Sequence, residues 1–279
     1  ELLASDMEFM AGHVLNAGIQ ETVSTRGPFN SVFHLAAWPG VRGGEKDPSS
    51  YLRNNVEALC ASLRTARDAE AERFVFASSS SVYGNQGLLG ACAESAACDG
   101  QQLSFYAATK WVGERILSEF VKRTEMIGIS TRFFTVIGQN GRPDMAYASF
   151  ARSMIQGQAV KVYGDGSALR DYTSVLDTVW ALRKLCETPN VTGLTPGESM
   201  ALNVGFGKNH SISQLVTAIQ AALNIDEVKI QYQPQPDVDA QATLSDPSFL
   251  HQLLGARNPE SLDSMVRSAL SKPDWIFQS

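Results

Sequence analysis

Short apolar runs alternate along the chain with longer segments whose apolar residues recur at helical spacing. The runs are SVFHLAA (31–37), RFVFASS (73–79), ISTRFFTV (129–136) and MALNVG (200–205), and a further strand is expected near Glu8–Gly12. The helix-like segments are Ser49–Ala69, Phe105–Arg123, Met145–Gln156, Ser174–Glu187 and Ser211–Leu223. Continuous apolar strands between helices are typical of a parallel sheet buried on both faces. The pattern therefore predicts an α/β fold with a doubly wound parallel sheet.

The regular alternation weakens after Gly138. Joints rich in proline and glycine occur at Gly138–Pro143, Gly164–Gly166 and Tyr232–Pro236. We interpret them as marking a smaller lobe that is interleaved with the sheet. Residues 1–137 and 174–207 are predicted to form the sheet domain, and residues 138–173 and 208–279 the lobe.

Composition narrows the class of protein. The 279 residues are 44% hydrophobic and 19% charged, with a net charge of −6 and no block of Lys or Arg. This argues against a nucleic-acid partner or a membrane surface, and no apolar run is long enough to span a bilayer. The four cysteines lack CxxC spacing and there is no His cluster, so we expect free thiols, no metal site and a reducing, cytoplasmic location.

The segment SFYAATK (104–110) places a phenol and an ammonium on one helical face. Tyr106 and Lys110 are four residues apart, and a nearby cation lowers the pKa of a tyrosine. Alone, this pair fits a solvated helix surface equally well. The run RFVFASSSSVYG (73–84) favours a functional site, because its four serines follow a buried strand at the sheet edge where such folds bind ligands.

Four motifs in this order carry a resemblance: HLAA (34–37), NNV (54–56), SSSSVYG (78–84) and YAATK (106–110). From about residue 8 to the C-terminus, the chain resembles the extended short-chain dehydrogenase/reductases that act on nucleotide sugars. The resemblance implies a Rossmann-like fold, NAD as cofactor and a UDP-sugar as substrate. It also implies that the sheet domain binds NAD and that the lobe binds the nucleotide sugar.

By this resemblance, Ser79, Tyr106 and Lys110 are the catalytic residues. Tyr106 would remove the proton of the sugar 4-hydroxyl, Ser79 would hydrogen-bond the same oxygen, and Lys110 would hold the nicotinamide ribose and lower the Tyr106 pKa. Further cofactor contacts are implied for His13, Val14, Leu35, Ala36, Ala37, Asn54, Asn55 and Ser78. His13 stands where relatives usually have Asp beside the adenine.

The run RFFTVIGQNGRPDMA (132–146), together with SFYAATK, resembles the UDP-glucuronate 4-epimerases. The resemblance places Ser80, Ser81, Thr135 and Arg142 around the sugar carboxylate and ring. Arg170 matches an arginine that binds the diphosphate, with a surface salt bridge to Asp171 or Asp177 as its alternative. Asp237 matches an aspartate at the uridine ribose.

Two related activities fit less well. The 4,6-dehydratases of this family place Asp-Glu directly after the catalytic Ser or Thr, where this chain has Ser80 and Ser81. The UDP-glucuronate decarboxylases carry a Glu near the same place, and this chain does not. UDP-glucuronate 4-epimerization is therefore the favoured activity.

The glycine-rich turn that binds the NAD pyrophosphate in this family is not found in the chain. We expect an N-terminal βαβ unit to have been lost or left out, so that the predicted strand near Glu8–Gly12 lacks a neighbour. A fragment of a normal enzyme, a wrongly delimited gene product and a non-catalytic sugar-nucleotide-binding relative all stay open. The resemblance further implies a homodimer through Ser49–Ala69 and Phe105–Arg123, and a Golgi location if a membrane anchor precedes the chain.

Overall fold

The computed structural model describes residues 7–96, 98–188 and 190–277. Its central sheet has parallel strands in the order β1-β2-β3-β7, which confirms the predicted α/β fold. The strands of the described chain are β1 (Val32–His34), β2 (Arg73–Ser79), β3 (Ile127–Phe133), β4 (Thr135–Ile137), β5 (Val160–Tyr163), β6 (Leu169–Ser174), β7 (Ser199–Val204), β8 (Asn209–Ser211) and β9 (Ile230–Gln233).

Helices cover both faces of this sheet. The helices are α1 (Ala17–Ser24), α2 (Pro48–Tyr51), α3 (Ala58–Asp68), α4 (Phe105–Val121), α5 (Ala146–Ile155), α6 (Val175–Glu187), α7 (Ile212–Leu223), α8 (Ser248–Leu254) and α9 (Leu262–Leu270). Side chains alternate along a strand, so Phe74 and Phe76 of β2 pack with α3 and α4 while Val75 packs in the opposite cluster with α6 and α8.

A further hydrophobic cluster joins α5, α7 and α9. It lies with two smaller sheets, one of β4, β6 and β8 and one of β5 and β9. These elements fall mainly in the ranges predicted for the interleaved lobe. Helix α8, which is also in those ranges, packs instead in the cluster of the central sheet.

Several predicted elements differ in the structure. Residues 8–12 form no strand and pair with none of the described strands. The predicted strand 31–37 is paired only at Val32–His34, and the run 129–136 is split between β3 and β4. The predicted helix Ser49–Ala69 is also interrupted, since residues Leu52–Glu57 form a π-helical turn between α2 and α3.

Candidate active site

The catalytic serine and tyrosine predicted from the sequence lie together at the carboxyl end of β2. Ser79 ends that strand and caps the short 3₁₀ helix Ser80–Tyr83, with its Oγ accepting from Ser81 N at 3.2 Å and from Ser81 Oγ at 2.9 Å. Ser79 also lies close enough to the Tyr106 phenol for its side chain to lower the pKa of Tyr106. Tyr106 stands in the first turn of α4, which is capped by Ser104.

The surroundings of the Tyr106 phenol act on its pKa in opposite directions. Burial raises the pKa of Tyr106, while the Ser79 side chain and the charge of Arg142 lower it in part. Burial also lowers the pKa of Lys110, to about 8. The lowering of the Tyr106 pKa by Lys110 stays a prediction.

Lys110 lies one turn after Tyr106 and is 3% exposed. Its Nζ donates to Ala77 O at 2.7 Å and lies 5.8 Å from the Tyr106 ring centroid. An ammonium has three N–H donors, and no second acceptor for them is found in the described part of the chain. Lys110 thus has donors available for a ligand hydroxyl beside Tyr106.

His34, at the end of β1, faces the same region. It is 4% exposed and stacks near Phe74 and Phe76, with centroid distances of 6.0 and 6.1 Å. Burial, and secondarily the charge of Lys110, lower its pKa to about 4. Its Nε2 has no hydrogen-bond partner among residues 7–96, 98–188 and 190–277.

The two asparagines of NNV have different partners because the π-helical turn aims them apart. Asn55 is buried, and its amide accepts from Trp38 N at 2.7 Å and donates to Trp38 O and Thr109 Oγ1, both at 3.0 Å. It therefore fixes the chain after β1. Asn54 Oδ1 instead lies 2.9 Å from His13 Nε2.

His13 has a defined tautomer in this arrangement. Its Nδ1 accepts from Leu15 N at 3.1 Å, so its Nε2 carries the proton and donates to Asn54. Val14 beside it is half-buried. This pair occupies the position that the resemblance gives to the adenosine end of NAD.

The other predicted cofactor residues line the ends of β1 and β2. Leu35 and Ala36 are exposed, and Ala37 is half-buried. Ser78 is buried and donates to Glu114 Oε1 at 2.5 Å. Ser78 thus has a partner inside the protein, whereas Leu35 and Ala36 leave an apolar surface open.

A loop formed by residues 38–46 reaches from the end of β1 to Tyr106. The single proton of Tyr51 Oη is shared between Pro39 O at 2.8 Å and Gly40 O at 2.9 Å, and Glu45 Oε1 accepts from Phe105 N at 2.7 Å. Gly44 allows a close approach, because a Cβ there would lie 3.2 Å from Tyr106 N. This loop was not singled out from the sequence, although its three glycines were a signal of it.

The predicted carboxylate-binding residues come from three different elements. Ser80 is buried next to Phe134 in a small cavity, and Ser81 is tied to Ser79. Thr135 begins β4. Arg142 pairs with Asp144 at 3.1 Å, and its charge acts on the phenols of Tyr106 and Tyr51. The structure thus brings Arg142 toward Tyr106, and Ser81 to Ser79.

Arg170, which was predicted to bind the diphosphate, contacts backbone carbonyl groups and forms neither of the salt bridges that were its alternative. Arg170 Nη1 donates to Leu169 O at 2.8 Å, and burial lowers its pKa while Asp239 partly offsets this effect. The alternative salt bridges of Arg170 are not formed: Asp171 accepts from Ser245 and Asp177 from Arg257.

Asp239, which sequence reasoning missed, stands beside Arg170 where Asp237 was expected to act. It pairs with Arg42 at 2.5 Å, and the Arg42 guanidinium lies 4.0 Å from the Tyr163 ring centroid. Asp237 itself is exposed. A second acidic residue two positions on, in QPDVDA, was the available signal.

A buried polar row under the site was also missed. Ser78, Arg132 and Asn203 are register partners on β2, β3 and β7, and Glu114 of α4 binds Arg132. The Arg132–Glu114 pair is 3% exposed on both sides. An arginine inside the apolar run of β3 was the signal, since a buried charge needs a partner.

Metal chemistry has no support in the described residues, where no group of His, Cys, Asp and Glu side chains could hold an ion. The four cysteines are free thiols, as expected. No helix in the described ranges is long and apolar enough to cross a membrane.

Comparison with known proteins decides the family. A family model described as "NAD dependent epimerase/dehydratase family" matches residues 2–205. This chain belongs to that family. The chain is also 30% identical over 269 residues to UDP-glucuronate 4-epimerase 3 of Arabidopsis thaliana, which covers 92% of the chain and 61% of the plant protein.

Solved structures of this family agree with the fold. MoeE5 in complex with UDP-glucuronic acid and NAD is 30% identical, with a TM-score of 0.84 over 95% of this chain and 84% of MoeE5. UDP-glucuronic acid 4-epimerase from Bacillus cereus, in complex with UDP-glucuronic acid and NAD, is 26% identical, with a TM-score of 0.87 over 98% and 82% of the two chains. The family is NAD-dependent, and these neighbours hold NAD.

The residues of this chain fit part of NAD. The spare donors of Lys110, the orphaned Nε2 of His34 and the exposed apolar end of β1 suit a polar ring system that lies across the strand ends. His13 and Asn54 suit the adenosine end. Gly84, Gly87 and Gly90 have G-x-x-G-x-x-G spacing, but they follow the 3₁₀ helix Ser80–Tyr83 and open no α-helix, so they do not form the strand-to-helix turn that holds a pyrophosphate.

Proposed function

We propose that this protein catalyses the NAD-dependent 4-epimerization of a UDP-sugar, with UDP-glucuronate converted to UDP-galacturonate. The observation that carries the proposal is the proximity of Ser79 and Tyr106 at the end of β2, with Lys110 one turn further along α4. The 4-epimerase relatives and the bound UDP-glucuronic acid of MoeE5 support the choice of sugar.

Tyr106 takes the proton of the sugar 4-hydroxyl, and Ser79 donates a hydrogen bond to the same oxygen. When bound, NAD would supply a reversible hydride acceptor for C4, so that the hydride could return to the opposite face of the ring. Lys110 holds a ribose hydroxyl with the donors that Ala77 leaves unused. Tyr106 then returns the proton to the new 4-hydroxyl.

The 4-keto sugar creates a requirement for the groups around its carboxylate. A ketone at C4 is β to the carboxylate carbon, and such acids lose CO2 when the C–C bond aligns with the carbonyl. Ser80 and Thr135 are neutral donors that hold the anion while the ring turns, and Ser81 joins them when its hydroxyl turns away from Ser79 Oγ. Arg142 contributes its charge from the next loop. Arg170 binds the diphosphate, and Asp237 or its neighbour Asp239 binds the uridine ribose.

The test uses the full-length protein with NAD and UDP-glucuronate, and the products are separated by chromatography. UDP-galacturonate is expected, and Tyr106→Phe should lower the rate by about 10²–10⁴-fold because it removes the base. Tyr232→Phe is the matched control, since Tyr232 is 59% exposed. Formation of UDP-xylose or a 4,6-keto sugar would assign a related activity, and binding without turnover would favour a non-catalytic relative.

We propose a homodimer through α3 and α4, to be tested by sedimentation equilibrium of the protein and of variants with charged residues on the outer faces of these helices. The free thiols fit a reducing compartment, for which we propose the cytoplasm.

A further inference from the structure

Helix α4 packs on β2 through three neighbouring contacts below the reactive groups. Lys110 Nζ donates to Ala77 O at 2.7 Å, and Glu114 Oε1 accepts from Ser78 Oγ at 2.5 Å. Between them lies Gly113, where a Cβ would stand 2.6 Å from Phe76 Cζ. The distance between helix and strand is therefore set by the absence of a side chain at Gly113 and by two hydrogen bonds.

The Glu114 carboxylate is itself held rigidly. Arg132 Nε donates to Oε1 at 3.0 Å and Arg132 Nη2 to Oε2 at 2.7 Å, which is a bidentate pair. Arg132 Nη1 also donates to Tyr83 Oη at 2.8 Å, and Tyr83 Oη donates to Asn203 Oδ1 at 2.7 Å. Through Arg132 and Asn203, the carboxylate is tied to β3 and β7 as well as to β2.

These contacts can affect Ser79 and Tyr106, because they are made by residues that are adjacent to Ser79 on β2 or on the same face of α4 as Tyr106. Ser78 directly precedes Ser79 on β2. Tyr106, Lys110 and Glu114 stand at i, i+4 and i+8 on one face of α4. Any shift of Glu114 away from Ser78, or of Gly113 away from Phe76, moves Tyr106 relative to Ser79.

We infer that Gly113 and Glu114 are positioning residues that set the spacing between Tyr106 and Ser79, and this rests on the proposed function. Neither residue touches the place where substrate reacts. They act by holding α4 against β2, so their loss should lower the rate of reaction more than the binding of the sugar nucleotide.

The first test replaces the carboxylate by its isostere. In Glu114→Gln, the new amide presents N–H donors to the Arg132 donors, so the bidentate pair is lost while the volume is kept. We expect kcat to fall on the order of ten- to a hundredfold, with KM changed by less than about threefold, because misplacement of a catalytic group mainly affects the reaction step. The acid limb of the kcat profile should shift to higher pH, since Tyr106 moves away from the Ser79 side chain that lowers its pKa.

Glu119→Gln is the matched control, because Glu119 is on the same helix and its side chain is 62% exposed. It should leave kcat and the pH profile unchanged. If Glu114→Gln, shown to be folded by circular dichroism, keeps the wild-type kcat and acid limb while only its melting temperature falls, the two residues are structural and the inference is overturned.

The second test needs no turnover and so separates this inference from the proposed function. Gly113→Ala adds a methyl group that pushes α4 from Phe76 and admits water to Lys110. The pKa of Lys110, about 8 in the native packing, should rise by roughly half a unit or more in ¹³C-lysine NMR titrations. Arg115→Ala, on the exposed face of α4, should leave it unchanged. An unmoved Lys110 titration in Gly113→Ala would overturn the inference, and a wild-type protein inactive on UDP-glucuronate would overturn the proposed function alone.

Discussion

Replacement of Lys110 by methionine should make the protein more stable at neutral pH while removing its activity. Lys110 is 3% exposed, and burial lowers its pKa from 10.5 to about 8. Each unit of pKa shift corresponds to about 1.4 kcal/mol, so keeping this ammonium charged costs about 3 kcal/mol of folding free energy at pH 7. Methionine has a similar length and carries no charge to desolvate.

Two lost contacts reduce the gain. The hydrogen bond from Nζ to Ala77 O contributes about 1 kcal/mol, and the ammonium 5.0 Å from the Phe76 ring centroid about 0.5–1 kcal/mol. The expected net gain of Lys110→Met is therefore about 1–2 kcal/mol at pH 7.

The dependence on pH gives the sharper check. Between pH 8 and 10.5 the unfolded chain holds a proton on Lys110 that the folded protein has released, so wild-type stability rises with pH over this window. Methionine cannot titrate, and the advantage of Lys110→Met should shrink above pH 8 and disappear by about pH 10. Urea unfolding of both proteins at pH 7, 8.5 and 10 measures this difference in the free energy of unfolding.

Lys122→Met is the control, because Lys122 is exposed and pairs only with Glu119 at the surface. It should change the free energy of unfolding by less than about 0.5 kcal/mol at each pH. The reasoning is refuted if Lys110→Met is no more stable than the wild type at pH 7, or if its advantage is the same at pH 10.

Three further changes test other parts of the site. Burial lowers the pKa of His34 to about 4, so the free energy of unfolding of the wild type should fall by up to about 3 kcal/mol between pH 6.5 and 4. His34→Leu should not show this loss. Urea unfolding at pH 7 and 4.5 compares the two proteins, and equal losses would contradict the prediction. Arg132→Met should lower the free energy of unfolding by about 3–5 kcal/mol, because it leaves the Glu114 carboxylate buried without its ion-pair partner. Calorimetry measures this loss. A loss under about 1 kcal/mol would show that water reaches the carboxylate. Arg42→Ala should cost at most about 1 kcal/mol in the same assay, since its ion pair with Asp239 is half-exposed, and a larger loss would mean that the pair holds the 38–46 loop in place.

The central strands and the position of the reactive groups could be predicted from the sequence. The apolar runs of β2 and β3 are buried on both faces, as is the second half of β7, and α4 follows from the spacing of its buried positions. The position of Ser79 follows from its place at the carboxyl end of a buried strand, whereas its grouping with Tyr106 came from the resemblance to the extended short-chain dehydrogenase/reductases.

Features that depend on partners far along the chain could not be predicted in this way. The strand expected at Glu8–Gly12 fails because apolar composition does not supply a hydrogen-bonded neighbour. The π-helical turn at Leu52–Glu57 shows no sequence signal, yet it decides that Asn55 fixes Trp38 while Asn54 meets His13. Likewise, the pairing of Asp239 with Arg42 joins residues 197 positions apart.

The spacing of Lys110 and Tyr106 does not by itself describe the electrostatics of this pair. Helical geometry puts an ammonium near a phenol, and in water the ammonium would lower the pKa of the phenol. In the folded protein both groups are buried, and burial disfavours the charged form of each: it raises the pKa of Tyr106 and lowers that of Lys110 to about 8. The help that the phenol does receive comes from groups outside the motif, the hydroxyl of Ser79 and the charge of Arg142. Because that help depends on distance, the packing of α4 on β2 matters to the chemistry as much as the identity of the two residues.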